Sequence, residues 1–246
     1  MSELDDLTRR VKELEIENRQ LKMESSNYHL NLESLVEART DQLQAAMGNL
    51  ERSYDITVEA LGDALHLRDA ETEGHSKRVT AFTIAIARQM GLASVQIHVI
   101  ARGAFLHDYG NIAVPDAILR KPAKLTKDEM DIMREHANLG YQTLKKIPFL
   151  SEASEIVYSH HERYDGTGYP RGLKGEEIRL GARIVSIADT LDAITSDRAY
   201  RPAQTLKAAR EEIKKWSGRQ FDPEVVKVFL DLPDKIWEDL PKKIDS

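Results

Sequence analysis

The chain contains no cysteine among its 246 residues. This absence excludes disulfide bonds and thiolate zinc sites, so that His, Asp and Glu would have to hold any metal ion. No stretch approaches the roughly 18 uninterrupted apolar residues of a membrane-spanning helix. The polar start MSELDDLTRR also lacks the apolar segment of a signal peptide. We therefore expect a cytoplasmic protein that does not enter a membrane.

A long run of basic residues is also missing. The 35 Lys and Arg and the 41 Asp and Glu give a net charge of −6 and are spread along the chain. This distribution does not predict a nucleic acid partner. The length and the 41% hydrophobic content predict one enzyme-sized domain with an appendage.

The N-terminal segment follows a heptad repeat over residues 4–35. Position a holds Leu4, Val11, Asn18, Ser25 and Leu32, and position d holds Leu7, Leu14, Leu21, Tyr28 and Leu35. An asparagine at one a position specifies register in parallel two-stranded coils, and attractive g-to-e′ pairs would join Arg10 to Glu15 and Glu17 to Lys22. We expect residues 1–55 to form a coiled-coil stalk that makes a homodimer. A lone solvated helix is the alternative.

The rest of the chain predicts an all-α domain over residues 56–232, followed by a C-terminal tail over residues 233–246. Thr126 and Glu129 form a capping box at the start of one helix. Asp222 is the predicted N-cap of another helix, with Pro223 at its first position. Alternating β-branched runs are nearly absent, which disfavours a sheet.

Histidines and carboxylates recur beside apolar helix positions. Five of the eight histidines do so, namely His75, His107, His136, His160 and His161. Asp189 and Asp192 share a stripe with Val185 in RIVSIADTLDA, where a carboxylate is costly unless a cation meets it. For any single histidine, a hydrogen bond to a backbone carbonyl inside the core is the alternative.

The adjacent pair His160 and His161 indicates more than one ion. Neighbouring helical residues point about 100° apart, so the two rings suit two ions that lie a few Å apart. Asp108 could bridge two ions while the preceding His107 binds one of them. Imidazole and carboxylate ligands without thiolate favour iron or manganese.

Three segments carry a resemblance to a known family: FLHDYGNIAVPDAILRKPAKLT, HHERYDGTGYPRGLKGEEI and ARIVSIADTLDAITSDRAYR. Together they resemble the HD-GYP family of cyclic di-GMP phosphodiesterases, a branch of the HD metal-dependent phosphohydrolases, from about Ala60 to Phe229. The resemblance implies an HD-type helical domain that hydrolyses cyclic di-GMP to pGpG, and leaves open a further step to GMP. The attacking group would be a hydroxide that bridges two or three transition-metal ions.

The resemblance also assigns site residues. The implied metal ligands are Glu71, His75, His107, Asp108, His136, His160, His161 and Asp189, with Glu71 accompanying a third ion. Arg198 and Arg201 would contact substrate phosphates, and Asp192 would orient a ligand or an arginine. Tyr169 lies in the Gly-Thr-Gly-Tyr-Pro loop over residues 166–170, which in this family shapes the substrate pocket and recognises partners, including diguanylate cyclase domains. A structural turn is the alternative for this loop.

One departure from the family bears on activity. Relatives usually read His-Asp-Ile-Gly-Lys, with a lysine that reaches a substrate phosphate. This chain reads HDYGN, with Tyr109 in the place of the isoleucine and Asn111 in the place of the lysine. Three hypotheses stay open: a cyclic di-GMP phosphodiesterase, a hydrolase of another cyclic dinucleotide or a nucleotide monoester, and a catalytically weakened sensor. The sensor would bind the dinucleotide or a cyclase partner.

Overall fold

The computed structural model describes residues 3–66, 74–197 and 202–244. Within these ranges the chain is helical and has no strand, only an isolated bridge between Ser217 and Phe221. The prediction of an all-α protein is therefore confirmed. In the same ranges, no helix combines the length and apolar character that a bilayer crossing requires.

The helices are numbered in chain order, with short 3₁₀ helices marked η. They are α1 (Glu3–His66), α2 (His75–Gln89), α3 (Ser94–Phe105), η1 (Tyr109–Ala113), α4 (Asp116–Leu119), α5 (Lys127–Leu144), η2 (Pro148–Leu150), α6 (Ser151–Ser159), η3 (Gly175–Glu177), α7 (Leu180–Thr195), α8 (Leu206–Lys215), α9 (Pro223–Asp231) and α10 (Asp234–Ile244).

The chain divides into two compact units, Met1–Ser53 and Tyr54–Ser246. The predicted long N-terminal helix is present as α1, and its acidic first-turn residues Glu3, Asp5 and Asp6 complement the positive end of the helix dipole. Every described residue of the first unit is exposed in the single chain. The apolar positions of the heptad repeat are therefore not covered by this chain itself.

Helix α7 lies at the centre of the second unit. Buried apolar residues occur along most of its length, and they include Ile184, Ile187 and Leu191. It contacts α2, α3, α6, α8 and α9. A helix that is apolar on nearly all sides is buried among other helices, and α7 thus carries Asp189 and Asp192 into the interior.

A second, smaller core lies where the end of α1 packs in the same unit. Val58 is buried with Leu106, Leu144 and Val157. The Tyr54 ring also stacks on Phe149, with centroids 4.0 Å apart. These contacts join α1 to α3, α5 and α6 beside the candidate site.

The segment 233–246, predicted as a tail, contains helix α10. Trp237 of this helix is buried and packs against Phe82 and Phe229. Helix α10 is thus part of the main core.

Two local predictions from the sequence are confirmed. Thr126 Oγ1 accepts a hydrogen bond from the Glu129 amide at 3.3 Å, and the Glu129 carboxylate accepts one from the Thr126 amide at 2.8 Å. Helix α9 begins at Pro223, and Asp222 accepts the Glu224 amide at 2.8 Å. These caps define where α5 and α9 begin.

The contact between η1 and α5 depends on Gly110. A Cβ atom at this position would lie 1.8 Å from the His136 carbonyl oxygen and 2.8 Å from the Gly140 nitrogen. The absence of a side chain therefore lets two backbones touch. This contact brings Asp108, two residues earlier, against the helix that carries His136.

We expect Gly110→Ala to lower the free energy of unfolding of the second unit by about 2 kcal/mol or more, because the two backbones must separate. Chemical denaturation followed by circular dichroism measures this loss. Gly48→Ala is the matched control, since a Cβ there meets nothing within 4 Å. Equal unfolding free energies for the two variants would contradict the packing argument.

Candidate metal centre

Five histidines and one aspartate come together from separate elements of the second unit. His75 begins α2, His107 and Asp108 follow α3, His136 lies on α5, and the doublet follows α6. The cluster is assembled from helix ends and one helix face, and every member was selected from the sequence. Their donor atoms form two groups that share Asp108.

The first group contains His75, His107 and Asp108. The Nε2 atoms of His75 and His107 are 3.4 Å apart. The Oδ2 atom of Asp108 lies 3.3 Å from His107 Nε2.

The second group contains Asp108, His136, His160 and His161. The other carboxylate oxygen of Asp108, Oδ1, lies 3.3 Å from His136 Nε2 and 3.7 Å from His160 Nε2. The Nε2 atoms of His136 and His160 are 3.4 Å apart. Each oxygen of Asp108 therefore faces a different group.

The histidine doublet differs from the helical arrangement assumed for the sequence. Helix α6 ends at Ser159, so His161 lies beyond the helix and the 100° spacing of helical residues does not apply to it. The two rings lie with centroids 4.0 Å apart and belong to the same donor group. The donors for another ion lie in the first group, with His75 and His107, instead.

Local hydrogen bonds fix which nitrogen of three of the rings is available. The Nδ1–H groups of His107, His136 and His160 donate to the carbonyl oxygens three residues earlier, at 2.8, 2.7 and 2.7 Å. Because a carbonyl oxygen can only accept, the proton is held on Nδ1. The lone pair of each Nε2 therefore points into the cluster.

His75 is oriented by a side chain instead. Its Nδ1 donates to Asp192 Oδ2 at 2.7 Å. Asp192 also accepts from the buried Arg78 guanidinium, at 2.6 Å from Nε and 3.1 Å from Nη2, and from Ser196 Oγ at 3.2 Å. Asp192 thus lies between a candidate ligand and an arginine and contacts both.

The electrostatics of the cluster favour a charged carboxylate at Asp108 and neutral imidazoles at His160 and His161. Burial lowers the pKa of His160 and His161, and repulsion from His160 and His136 lowers that of His161 further. Burial alone would raise the pKa of Asp108. Attraction to His107 and the close contacts of the carboxylate with the His107, His136 and His160 rings outweigh it and hold that pKa well below its usual value. Burial would lower the pKa of His136, but the Asp108 hydrogen bond raises it overall.

These donors fit metal ions. Ligand atoms that bind one ion at about 2.0–2.2 Å lie roughly 3.0–3.5 Å from one another, and the shorter separations in each group are 3.3 and 3.4 Å. Neutral imidazole and ionised carboxylate are also the forms that bind metals. The described residues therefore include two sets of side chains that could each hold an ion.

The Gly-Thr-Gly-Tyr-Pro loop returns to the doublet. The Tyr169 amide donates to the His161 carbonyl oxygen at 3.3 Å, and the two rings stack with centroids 4.7 Å apart. A Cβ on Gly168 would lie 2.3 Å from the Arg163 nitrogen, so the loop needs glycine there. The loop covers His161 with the Tyr169 ring.

Sequence reasoning missed Glu162, the residue directly after the doublet. Its buried carboxylate accepts the amides of Arg171 and Leu173, at 2.7 and 3.1 Å. It thereby ties the far side of the loop to the end of α6. The adjacent motif His-His-Glu was the available signal, but its contacts depend on the folded loop.

The remaining predicted site residues differ in position. Asp189 is half-buried, and its Oδ1 lies 3.8 Å from His75 Nε2, at the edge of the first group. Asn111 is buried in η1. Glu71, Arg198 and Arg201 lie outside the described residues.

Comparison with known proteins shows the family of the chain. The chain belongs to the HD domain family, which matches residues 59–225. It is 41% identical over 191 residues to the cyclic di-GMP phosphodiesterase response regulator RpfG of Xanthomonas campestris, with 77% of this chain and 50% of that protein covered. It is 42% identical over 183 residues to a cyclic di-GMP phosphodiesterase of Thermotoga maritima, with 74% and 50% covered. The predicted membership of the HD-GYP branch is thus confirmed.

A solved structure confirms the HD-type fold. The crystal structure of a cyclic GMP-AMP specific phosphodiesterase of V. cholerae superimposes with a TM-score of 0.59 at 20% identity, covering 75% of this chain and 50% of that one. The chain spans about half the length of the two sequence relatives.

We expect Asp192→Asn to destabilise the metal-free protein by about 3 kcal/mol at pH 7, because the buried Arg78 guanidinium and His75 then lose the charge of the Asp192 carboxylate. Burial would raise the pKa of Asp192, but hydrogen bonds from His75 and Arg78 outweigh it and lower that pKa. A carboxyl whose pKa is lowered by folding stabilises the protein above its unfolded pKa of about 3.9, and this contribution is lost as the pH falls through the lower folded value. The difference between wild type and variant should therefore narrow in acid.

Denaturant titrations with chelator, from pH 7 down to about pH 2, measure this difference. Asp189→Asn is the control, because Asp189 lies on the same helix and is half-exposed. An Asp192→Asn variant that is as stable as the control at pH 7 would be evidence against the buried pair.

Proposed function

We propose that the second unit is a metal-dependent phosphodiesterase that opens cyclic di-GMP to linear pGpG. The observation that carries the proposal is the position of Asp108, whose two oxygens face two separate groups of imidazoles. This arrangement is suited to a pair of ions that act on one phosphodiester. The names of the relatives from Xanthomonas campestris and Thermotoga maritima support the substrate.

The proposed cofactors are two ions of iron or manganese, one for each donor group. The absence of thiolate among the candidate ligands supports this choice. Bound ions would supply positive charge for phosphoryl oxygens and would lower the pKa of a water molecule. A third ion, with Glu71 as a ligand, stays a prediction.

Hydrogen bonds within the protein orient the imidazole rings of the candidate ligands. The Nδ1 hydrogen bonds hold the imidazoles of His107, His136 and His160 with Nε2 inward, and Asp192 does the same for His75. The ring of Tyr169 covers His161 and would limit the access of water from that side. Contacts of Arg198 and Arg201 with substrate phosphates, and recognition of a diguanylate cyclase domain by the loop, stay predictions.

Asn111 supports a second candidate, a sensor that binds the dinucleotide without turnover. An asparagine can donate a neutral hydrogen bond but lacks the charge of the lysine that the family places there. The convergence of five histidines and Asp108 favours the enzyme over the sensor. Hydrolysis of another cyclic dinucleotide is the variant within the enzyme class.

We also propose that residues 4–35 pair with a second copy as a parallel coiled coil. The large apolar residues at positions a and d are 40% (Leu32) to 72% (Leu4) exposed in the single chain. An apolar seam of this length requires burial, and Asn18 at position a would set the register. The partner is therefore expected to be the same segment of another copy.

The first test is hydrolysis by protein reconstituted anaerobically with iron or manganese. We expect at least two ions per chain by elemental analysis, and pGpG as the product of cyclic di-GMP by chromatography. His161→Ala and Asp108→Ala should lower metal content and reduce hydrolysis to background, because each removes a donor. The exposed His98 provides the control His98→Ala.

Three outcomes of this test are informative. One ion or fewer per reconstituted chain would contradict the two-group site. Binding of cyclic di-GMP without product would favour the sensor. Faster cleavage of cyclic di-AMP or cyclic GMP-AMP than of cyclic di-GMP would show that the preferred substrate is a different cyclic dinucleotide.

The second test concerns the dimer in the full chain. We expect Leu14→Lys, at position d, to raise the dimer dissociation constant at least about a hundredfold, because both copies lose a buried leucine. Light scattering across a concentration series measures it. Gln20→Lys adds the same charge at an outward position of the heptad and should leave the dimer intact. If both variants stay dimeric, the interface lies in the second unit.

A further inference from the structure

A cavity of about 270 Å³ opens beside the histidine doublet and Asp189. Among the described residues that line it, the cations are Arg134 and Arg163. Because the proposed substrate carries two phosphodiester anions, the environment of each arginine bears on how that substrate is held.

Arg163 is engaged within the protein. Its Nε donates to Thr167 Oγ1 at 3.1 Å, and its Nη1 donates to Gln220 Oε1 at 2.8 Å. The guanidinium also lies 5.3 Å from the centre of the Trp216 ring. These contacts hold the loop, so that few donors of Arg163 face a ligand.

Arg134 has a different environment. It lies on α5 two residues before His136, and its guanidinium is 5.1 Å from the centre of the Tyr169 ring. Its ion pair with Asp131 is 3.7 Å long, and both side chains are about half-exposed. Exposed ion pairs of this kind are weak. The guanidinium can therefore leave Asp131 and pair with an anion that binds it more tightly.

Tyr169 contacts both Arg134 and a candidate ligand. The Tyr169 ring stacks on His161 with centroids 4.7 Å apart, and the Arg134 guanidinium lies 5.1 Å from the centre of the same ring. The guanidinium is therefore held at this ring, next to the candidate ligands but not among their donor atoms. A phosphate bound by Arg134 would therefore lie beside the phosphate that is held at the metal donors.

We propose that Arg134 binds the second phosphate of the cyclic dinucleotide, the one that is not cleaved. The inference rests on the proposed function. A planar guanidinium presents two parallel donors that match a phosphate, and stacking on Tyr169 orients it. Arg134 would then supply part of the charge that Asn111 does not.

The test compares two substrates on the metal-loaded full chain. Cyclic di-GMP has two phosphates, whereas bis(p-nitrophenyl) phosphate has one. Arg134→Ala should raise KM for cyclic di-GMP about tenfold, the low end for a charged hydrogen bond, because the site is half-exposed. kcat for cyclic di-GMP and both constants for bis(p-nitrophenyl) phosphate should stay unchanged.

Two further variants complete the series. Arg134→Lys keeps the charge but loses the paired donors, and it should fall between wild type and Arg134→Ala. Arg88→Ala removes an equal charge from an exposed position on α2, about 20 Å along the helix from His75, and should have no effect. Added salt should raise KM of the wild type more than that of Arg134→Ala.

The outcomes separate this inference from the proposed function. An unchanged KM in Arg134→Ala, or an equal loss with both substrates, overturns the role of Arg134 while the phosphodiesterase stands. A wild type that cleaves bis(p-nitrophenyl) phosphate but neither cleaves nor binds cyclic di-GMP overturns the proposed substrate, and the inference with it. If the wild type binds cyclic di-GMP without cleaving it, the same tenfold effect is expected in Kd, and its absence overturns the inference.

Discussion

The partly buried carboxylate of Asp108, which is 15% exposed, is the constraint on which the rest of the site depends. A charge in the interior is costly unless groups of opposite polarity meet it from several sides. Here imidazoles from the end of α3, from α5 and from the end of α6 converge on its two oxygens. The backbone contact at Gly110 makes this convergence possible, because it brings the segment after α3 against α5. The packing of these elements therefore also determines which imidazoles surround the carboxylate.

Most of the oriented histidines are held by hydrogen bonds to nearby backbone, and His75 is the exception. His107, His136 and His160 each use a carbonyl oxygen three residues earlier, so their own backbone directs Nε2 inward. His75 is the first residue of its helix and has no such carbonyl within α2. Asp192 of α7 takes that place, and the charge of Arg78 compensates it. The first donor group thus depends on long-range packing more than the second group does.

The sequence predicts those features that follow from local rules. The caps at Thr126 and Asp222, the all-α fold and the long N-terminal helix follow from spacing and capping chemistry alone. The geometry of the doublet could not be predicted in this way, because it depends on where α6 ends. Glu162 and Arg134 were missed for a related reason. Their partners are a loop amide and an aromatic ring that only the folded loop brings to them.

The net negative charge of the chain means that an anionic substrate must be bound by groups in direct contact with it. The proposed substrate is an anion, yet the chain carries a net charge of −6. Long-range attraction cannot supply the binding energy, since charges beyond about 8 Å are largely screened at physiological salt. The attraction must come from groups within contact distance, which are bound metal ions and oriented arginines. A neutral residue at position 111 increases that dependence, because it removes one positive charge that the family places at the site. Residues that hold a guanidinium in position, such as Tyr169 beneath Arg134, then become part of substrate recognition.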